Sequence, residues 1–585
     1  MRHRTLSGLR GLDPRIVLVV AVAVGLWMPL AYAEWFWGHE KYSYIMRTVE
    51  WATEMRRGLL YPRWCPDLYG GYGSPLFMFY APLPYGAAGV LTAAFLEPAI
   101  ALKVVALAMS VISGLGMYAL VFGETRQRDA ALLGALAYLA APYRIADLFE
   151  RGDIGEFSSL ALLPVVIALY RAIALEVRPR RARWFGAAAA VTHAMLIMTH
   201  PILGFWSTIL LGIIVAASAA GLVRAGLWRR ALFSIGALAC APGLAAVYVL
   251  PAMAYRASAH TDIMATGWSN PQHQWLLLGT LFFSDAQFFS VNFFKVGPLI
   301  VGALLIVLTG LALNFRKGRR AIGWMALSVG LAALTLPEGS WFWRPGLIPT
   351  AQFVQFPWRM LGPAVLTASV AMGIGMAAAS ERWGDRLRNG IAVVCGAALL
   401  FGCAWPLVAV RPLNADGVPN TADGLRQGLY AAMDEDGYLP RTAPTGPSSP
   451  RHELVLDADG ASVDDIVSDG SRHEMTVRAA RNDATVVLAL HGFPGWALET
   501  NSGPRGGSMD VDARGRLRLH LPVAGEYRLR VWYGSPPAER VGALLSAGFA
   551  LALALLLTQG SLRSWWRSRS RGPFRVRAGA ARSAA

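Results

Sequence analysis

The chain is poor in cysteine and poor in charge. Only four of its 585 residues are cysteine, and charged residues make up 16% of it. So few cysteines, scattered at positions 65, 240, 395 and 403, exclude the disulfide framework of a small secreted domain. A hydrophobic content of 55% and a mean hydropathy of +0.41 exclude an ordinary soluble protein of this length. The composition therefore indicates a polytopic membrane protein.

Acidic side chains are also outnumbered. Lys and Arg total 54 against 37 Asp and Glu, which gives a formal net charge of +17. In a soluble protein this excess would suggest a nucleic-acid partner, but no basic stripe or nucleic-acid-binding fold accompanies it. The basic residues form short clusters between apolar runs, as in cytoplasmic loops that face anionic lipid. We therefore expect membrane lipid as a partner and no nucleic acid.

The topology follows from counting apolar runs between the basic clusters. A spanning helix needs about 20 mostly apolar residues, and successive cytoplasmic clusters are separated by an even number of crossings. This predicts twelve spans with both termini in the cytoplasm, the first span being a retained signal anchor. The predicted spans are residues 16–33, 99–121, 130–146, 157–175, 184–199, 201–222, 231–252, 297–315, 321–337, 357–379, 390–410 and 540–558.

Two further helices are predicted to lie at the outer interface without crossing the membrane. Residues 76–96 would make the number of crossings odd, and the prolines in and just before this run disfavour a continuous span. Residues 40–57 have apolar positions at helical spacing and a stripe made of one arginine and three glutamates. That pattern predicts an amphipathic helix on the outer surface.

The longest polar segment is predicted to fold separately, on the extracytoplasmic side. Residues 411–452 are rich in Pro, Gly and Asp and are typical of a linker. Residues 453–538 contain strand-like runs and turn signals, which predict a small β-sandwich. In its Arg-rich strand, 514–521, the leucines alternate with polar residues and should point inward. Residues 539–585 are then the last span and a basic cytoplasmic tail.

Candidate functional residues gather on the predicted outer side. His39 and Glu40 follow the first span, although an acid is also favoured in a first helical turn by the helix dipole, which is the simpler explanation. The hairpin tip 144–156 carries four acids and two arginines, more than solubility requires. His200 lies at the tip of the next hairpin. Arg359 lies just inside a span, where an ionisable residue is expensive and usually marks a partner or ligand.

Six stretches of the sequence resemble motifs of one family when they are taken together. They are Gly38–Glu40, Gly58–Trp64, Gly70–Phe77, Arg151–Phe157, Gln355–Arg359 and Gly492–Trp496. The set resembles the bacterial membrane proteins called 6-pyruvoyl-tetrahydropterin synthase-related, a group akin to the YfhO-like proteins. The likeness runs over most of the chain. It implies no pterin chemistry, because the zinc site of the pterin synthases is not found in this sequence.

The family is similar in architecture to the GT-C fold glycosyltransferases. The resemblance implies a multi-pass enzyme of the bacterial cytoplasmic (inner) membrane. Such an enzyme would transfer a sugar from a polyprenyl-phosphate donor to an envelope glycan, lipid or protein on the outer face. It implies that Glu40 is the catalytic carboxylate, in a position where Asp is usual, and that His39 orients it or the substrate.

The resemblance also implies roles for other outer residues. Arg151, Arg359 and Lys103 are the expected phosphate-binding cations, with His200 and Gln355 in the same substrate site. Asp153 and Glu156 form the second acidic loop and should face the cavity of Glu40. These three carboxylates would suit Mg²⁺ or Mn²⁺. Whether a metal is needed stays open, because not every GT-C enzyme uses one.

Two other classes of function remain alternatives. A lipid or polysaccharide transporter or flippase is disfavoured, because no inverted repeat is evident and the acids cluster at one surface. A non-catalytic envelope assembly protein would instead use the β-domain to bind its partner. Trp496 and Tyr533 could then stack on sugar, although burial in a core is the more common explanation for such aromatic residues.

Overall fold

The computed structural model describes residues 13–28, 31, 43–176, 178–283, 294–344, 351–381, 436–445, 451 and 453–569. Within these ranges the chain is mostly helical and has a β-sheet domain toward its C-terminal end. Among the described residues, five helices are long and apolar enough to cross a membrane, or up to eight if each of three bent pairs is one span. The count of twelve spans stays a prediction, and the predicted span 390–410 lies outside the described residues.

The helices are numbered along the chain, and short 3-10 turns are left unnumbered. They are α1 (Pro14–Gly25), α2 (Ser43–Arg56), α3 (Leu76–Phe79), α4 (Leu83–Ala94), α5 (Pro98–Thr125), α6 (Arg128–Leu139), α7 (Pro142–Ala146), α8 (Ile154–Leu175), α9 (Pro179–Ile197), α10 (Pro201–Arg224), α11 (Trp228–Leu244), α12 (Ala246–Ala254), α13 (Gly297–Leu313), α14 (Phe315–Gly318), α15 (Arg320–Ala333), α16 (Leu361–Ser380) and α17 (Pro537–Arg569).

Three of the apolar segments are bent. Helix α6 and the segment Pro142–Arg151 meet at 44°, α11 and α12 at 59°, and α15 and the segment Pro337–Trp343 at 92°. Pro142 and Pro337 begin the second piece of their pairs. Proline lacks the N–H that would continue the preceding helix, but it is well tolerated at the first position of a new one. Each of these segments therefore contains a change of direction that the apolar pattern did not reveal.

The two helices predicted at the interface differ in detail from expectation. Residues 76–96 form two helices, α3 and α4, which are separated around Pro82. On α2, the polar stripe is not at a surface, because Arg47, Glu50 and Glu54 are each only 1% exposed. The Arg47 guanidinium donates to the hydroxyl of Tyr85 at 3.0 Å. Helix α2 is thus packed on both faces, and the prediction of an amphipathic helix on the outer surface is wrong in this respect.

Eight antiparallel strands form the β-domain as two facing sheets. One sheet has the order β1-β4-β7-β6 and the other β2-β3-β8-β5. The strands are β1 (Val455–Asp459), β2 (Ala461–Asp469), β3 (Arg472–Ala479), β4 (Ala484–His491), β5 (Trp496–Ser502), β6 (Ser508–Val511), β7 (Arg516–Leu521) and β8 (Gly525–Tyr533). In β7, Leu517, Leu519 and Leu521 are buried in the core, so their predicted inward orientation is confirmed.

The β-domain docks on the loop between α2 and α3 through aromatic rings. Trp64 is buried, with Tyr533 stacked on it at 5.1 Å between ring centroids and Trp496 edge-on at 5.2 Å. His491 donates from Nδ1 to the carbonyl of Gly73 at 2.9 Å. Trp496 and Tyr533 are therefore engaged with the helical part of the chain, and their positions do not support stacking on sugar.

Glycine and a polar bridge complete this contact. Gly73 has φ of +83°, and a Cβ at this position would overlap the Trp64 indole, so the turn requires glycine. From the end of α2, Arg57 donates to Asp469 of β2 at 2.6 Å, and Glu54 accepts a hydrogen bond from the Ser471 hydroxyl at 3.4 Å. Three of the family-like stretches, those at 58–64, 70–77 and 492–496, thus contribute to domain docking.

Candidate functional site

Two residues of the site are helix caps. Asp153 is the N-cap of α8, and its Oδ1 accepts the Glu156 N–H at 2.8 Å. His200 is the N-cap of α10, and its Nδ1 accepts the Leu203 N–H at 3.1 Å. The His200 Nε2 lies 3.5 Å from Asp153 Oδ2, which joins the two caps. The positive ends of two helix dipoles therefore point to one place.

Arg151 is the centre of the site. It ends the π-helical turn that begins at Asp147, and it is only 6% exposed. Its Nη1 donates to Asp147 Oδ1 and to Glu156 Oε2, each at 2.6 Å, and its Nη2 donates to Asp153 Oδ2 at 3.3 Å. The guanidinium also lies 4.7 Å from the ring centroid of Trp358. One arginine thus holds three carboxylates.

Arg359 brings a distant part of the chain into the same network. It lies in the 3-10 turn just before α16, and its Nε donates to Glu156 Oε2 at 3.0 Å. Its Nη1 donates to Gln355 Oε1 at 2.8 Å. The other Glu156 oxygen accepts the Tyr143 hydroxyl at 2.5 Å. Glu156 is fully buried and is satisfied on both oxygens.

The network is buried and close to charge balance. Its three carboxylates face two guanidinium groups, which is the pairing that buried charges need. Burial raises the pKa of the Asp153 carboxyl, but His200 and the charges of Arg151 and Arg359 outweigh it, so the pKa lies well below its usual range. Asp153 is therefore ionised at neutral pH. We call the set Asp147, Arg151, Asp153, Glu156, His200 and Arg359 the charged network.

Helix α2 contacts the charged network at its N-terminal end. The buried Tyr44 hydroxyl donates to the Arg151 carbonyl at 2.8 Å. Gly152 has φ of +71°, and a Cβ there would overlap that hydroxyl, so the turn after Arg151 requires glycine. The other end of α2 contacts the β-domain, so this helix joins the charged network to the β-domain. A helix of 14 residues separates them by about 20 Å.

The predicted site residues fall into three groups. The structure brings together Arg151, Asp153, Glu156, His200, Gln355 and Arg359. Lys103 is half-buried on α5. His39 and Glu40 lie outside the described residues.

Two contacting residues, Tyr143 and Tyr44, were not predicted, and Asp147 was counted among the four acids of the hairpin tip but given no role. Asp147 stands four residues before Arg151, and this spacing pairs opposite charges on a helix, so it was available as a signal. Tyr143 and Tyr44 had no comparable signal. Their hydroxyls reach the site through tertiary packing, and buried tyrosines of that kind look like core residues in a sequence.

A metal triad is present by distance, but its carboxylate oxygens already accept hydrogen bonds from protein donors. Asp153, Glu156 and His200 each offer one ligand atom within 4.8 Å of the others. Those atoms already have partners, because Arg151 donates to both carboxylates and Arg359 donates to Glu156 as well. The donor set as arranged does not fit a divalent cation.

The fold and the site together define a multi-helix membrane protein with a docked β-sandwich and a buried charged network, which α2 joins to each other. The chain belongs to the family of membrane proteins described as the 6-pyruvoyl-tetrahydropterin synthase related domain, whose model it matches over residues 77–409. The family resemblance stated from the sequence is thus confirmed. The match covers the charged network, but it begins after Glu40 and ends before the β-strands.

Three solved structures of GT-C glycosyltransferases are similar to this chain. ArnT from Cupriavidus metallidurans bound to undecaprenyl phosphate shares 18% identity, with 69% of this chain and 67% of that chain covered and a TM-score of 0.39. The oligosaccharyltransferase of Archaeoglobus fulgidus, in complex with Zn and sulfate, shares 12%, with 68% and 52% covered and a TM-score of 0.40. The arabinosyltransferase EmbB from Mycobacterium smegmatis shares 12%, with 92% and 64% covered and a TM-score of 0.36.

These TM-scores are too low to assign an activity to this chain. Comparison with the sequences of curated proteins gives no match.

Proposed function

We propose that the protein is a membrane glycosyltransferase. In this proposal it transfers a sugar from a polyprenyl-phosphate donor to a cell-envelope acceptor on the extracytoplasmic face. The observation that carries the proposal is the charged network, in which three separate parts of the chain bring carboxylates, guanidinium groups and two helix N-termini together. Ionisable groups so placed in a membrane protein are costly and are usually retained for a ligand or a reaction.

The arginines suit the phosphate of such a donor. A guanidinium group recognises phosphate through paired hydrogen bonds. Arg359 has no hydrogen-bond partner for Nη2 among the described residues, whereas Arg151 is bound to three carboxylates. Arg359 is therefore proposed as the residue that contacts the phosphate, with Arg151 holding the acidic loop in place. Lys103 remains a proposed additional cation.

The proposed reaction is a single displacement at the anomeric carbon. Glu40 accepts the proton of the acceptor hydroxyl, the hydroxyl oxygen bonds to the anomeric carbon, and the bond from that carbon to the phosphate oxygen breaks. The negative charge that develops on the leaving phosphate is stabilised by Arg359. His39 orients Glu40. The step needs no metal, and none is assigned to it.

Chain connectivity supports placing Glu40 at this reaction. Glu40 precedes Tyr44 by four residues, and the hydroxyl of Tyr44 contacts the Arg151 carbonyl. This short separation along the chain is why the proposal assigns Glu40 to the same site.

The topology belongs to the same proposal. With twelve spans and both termini in the cytoplasm, the charged network and the β-domain both face the outside of the cytoplasmic membrane. Labelling of single cysteines placed at residues 126–128, between α5 and α6, tests this orientation in intact cells. Those positions should be unreactive to an impermeant reagent, and labelling there from outside would contradict the topology.

The direct test of function is transfer in reconstituted membranes. The purified protein in liposomes that contain a radiolabelled polyprenyl-phosphate sugar should convert the donor and release polyprenyl phosphate when an envelope extract supplies the acceptor. Glu40→Gln should lower the rate by at least about 10²-fold, as expected for loss of a general base, and Glu40→Asp should retain part of it.

A matched control is Glu97→Gln, which removes an exposed acid just before α5 and should leave the rate unchanged. Equal rates for wild type and Glu40→Gln at equal protein levels would remove Glu40 from the reaction. Unchanged envelope glycans in a deletion strain, measured by mass spectrometry, would favour the transporter or assembly functions instead.

A further inference from the structure

The carboxylate oxygens of Asp153 and Glu156, two members of the possible metal triad, all accept from protein donors. Glu156 Oε2 accepts from Arg151 Nη1 at 2.6 Å and from Arg359 Nε at 3.0 Å, and Glu156 Oε1 accepts from the Tyr143 hydroxyl at 2.5 Å. Asp153 Oδ1 is the helix cap of α8, and Asp153 Oδ2 accepts from Arg151 at 3.3 Å. No carboxylate oxygen of Asp153 or Glu156 is without a donor.

The tautomer of His200 also disfavours metal binding. A backbone N–H can only donate, so the His200 Nδ1 that accepts from Leu203 must carry a lone pair. The neutral ring then has its proton on Nε2, which is the nitrogen that faces Asp153 Oδ2 at 3.5 Å. A metal at Nε2 would need that proton to leave, and a metal at Nδ1 would uncap α10.

The position of Arg151 also opposes a metal electrostatically. Divalent ions bind carboxylate oxygens at about 2.0–2.6 Å. An ion at that distance from these oxygens would lie beside a guanidinium group that donates to the same atoms, and two cations would then share one buried space. Arg151 bonds to three of the four acids of the loop, namely Asp147, Asp153 and Glu156, which is the bridging geometry that a divalent ion would otherwise supply.

We propose that Arg151 is the resident cation of the acidic loop, in the place that a divalent metal would take, and that the protein binds no metal there. The inference concerns the same site as the proposed function but does not depend on it. It predicts the metal content of the protein in the absence of sugar donor and acceptor. The metal inference can therefore fail while the transferase proposal stands, and the transferase proposal can fail while the metal inference stands.

Removing the guanidinium should convert the loop into a metal site. In Arg151→Gln, three carboxylates and a histidine remain, and among the described residues Arg359 is the one guanidinium that still forms an ion pair with them. Oxygen and imidazole ligands in this number suit Mn²⁺ or Zn²⁺. We expect the midpoint of thermal unfolding to fall in Arg151→Gln and to recover by several degrees when MnCl₂ or ZnCl₂ is added. Wild type and Arg151→Lys should show no metal-dependent shift.

Arg171→Gln is the matched control. Arg171 lies near the C-terminal end of α8, the helix that Asp153 caps, and it pairs with a single carboxylate, that of Glu124. Its removal therefore creates no cluster of ligands. This variant should not respond to either metal.

Two results would overturn the proposal. One is wild-type protein, expressed with both metals in the medium, that contains one metal ion per chain by mass spectrometry and loses stability in EDTA. The other is an Arg151→Gln variant that remains insensitive to both metals. If Arg151→Gln does not accumulate, the metal content and EDTA response of the wild type decide the question alone.

Discussion

The charged network and the docking contact of the β-domain are built with opposite chemistry. The charged network joins acids and arginines that are at most 6% exposed. Each buried charge in it is stabilised by ion pairs with other members of the network. The docking contact joins rings such as Trp64 and Tyr533, whose burial is favourable without a specific partner. Burying paired charges adds little net stability, whereas burying aromatic area adds much. Stability alone therefore does not explain the charged network, which is why we propose that it serves a ligand or a reaction.

The family-like stretches divide between these two regions. Arg151–Phe157 and Gln355–Arg359 supply the charged network, whereas Gly58–Trp64, Gly70–Phe77 and Gly492–Trp496 contribute to docking. The motifs that together resemble one family thus contribute to two different structural regions. Helix α2 contacts both regions, so changes in one can be compared with changes in the other in the same protein.

The largest expected loss of stability is in the charged network, where it tests how strongly the buried charges stabilise each other. Glu156→Gln removes the carboxylate that both Arg151 and Arg359 share, and breaking a buried ion pair costs about 3–5 kcal/mol. Thermal unfolding in detergent measures the loss. The control is Glu124→Gln, whose carboxylate pairs with the partly exposed Arg171 and should cost about 1 kcal/mol. Equal small losses in both variants would mean that the charged network is not tightly coupled.

The next effect tests the aromatic contact. Trp64→Ala should cost about 3 kcal/mol, because a large buried ring is replaced by a cavity between Trp496 and Tyr533. Loss of docking should appear as faster amide exchange in the 65–74 turn, with the helices unchanged. Trp341→Ala, at a ring that is 58% exposed, is the control. Unaltered exchange in Trp64→Ala would show that the β-domain is held elsewhere.

Acid should weaken the docking contact. Burial lowers the pKa of His491 to about 4, although its hydrogen bond to Gly73 acts in the opposite direction. An undocked histidine has a pKa near 6.5, so the undocked form binds the proton first as pH falls. Stability from this group is complete above about pH 6.5 and is lost between there and pH 4, with about 2 kcal/mol lost at pH 5.

Unfolding midpoints measured from pH 7 to pH 5 test this expectation. His491→Gln should flatten the dependence. His473→Gln is the comparison, because burial lowers the pKa of that histidine to about 4 too, but its Nδ1 is hydrogen-bonded to Ser468 inside the β-domain. An unchanged pH profile in His491→Gln would assign the acid sensitivity to another group.

The smallest effect tests how α2 supports the charged network. Tyr44→Phe removes one buried hydrogen bond to the Arg151 carbonyl and should cost about 1 kcal/mol. Transferase activity should fall further than stability, because the turn that carries Arg151 is no longer held. Tyr170→Phe, which loses a hydrogen bond to His193 away from the site, should show the stability loss alone. Equal activities in the two variants would leave Tyr44 with a purely structural role.

The sequence by itself determined the class of protein and the composition of its parts. Long apolar runs between basic clusters have no stable fold in water, so a helical membrane protein was predictable. The period-two pattern of the Arg-rich strand predicted the inward orientation of its leucines, which is confirmed. These properties are local, since each depends on a run of neighbouring residues and on whether that run faces water, lipid or the protein core.

Only the tertiary structure decided which polar residues meet. Arg151 and Arg359 are separated by more than two hundred positions, yet both donate to one oxygen of Glu156. The apparently exposed stripe of α2 is buried, because packing against other helices and the β-domain overrides its amphipathic pattern. Likewise, Glu156 accepts from Arg359, a donor that no spacing in the sequence reveals. A residue type states what a side chain can bind, and the fold determines what it does bind.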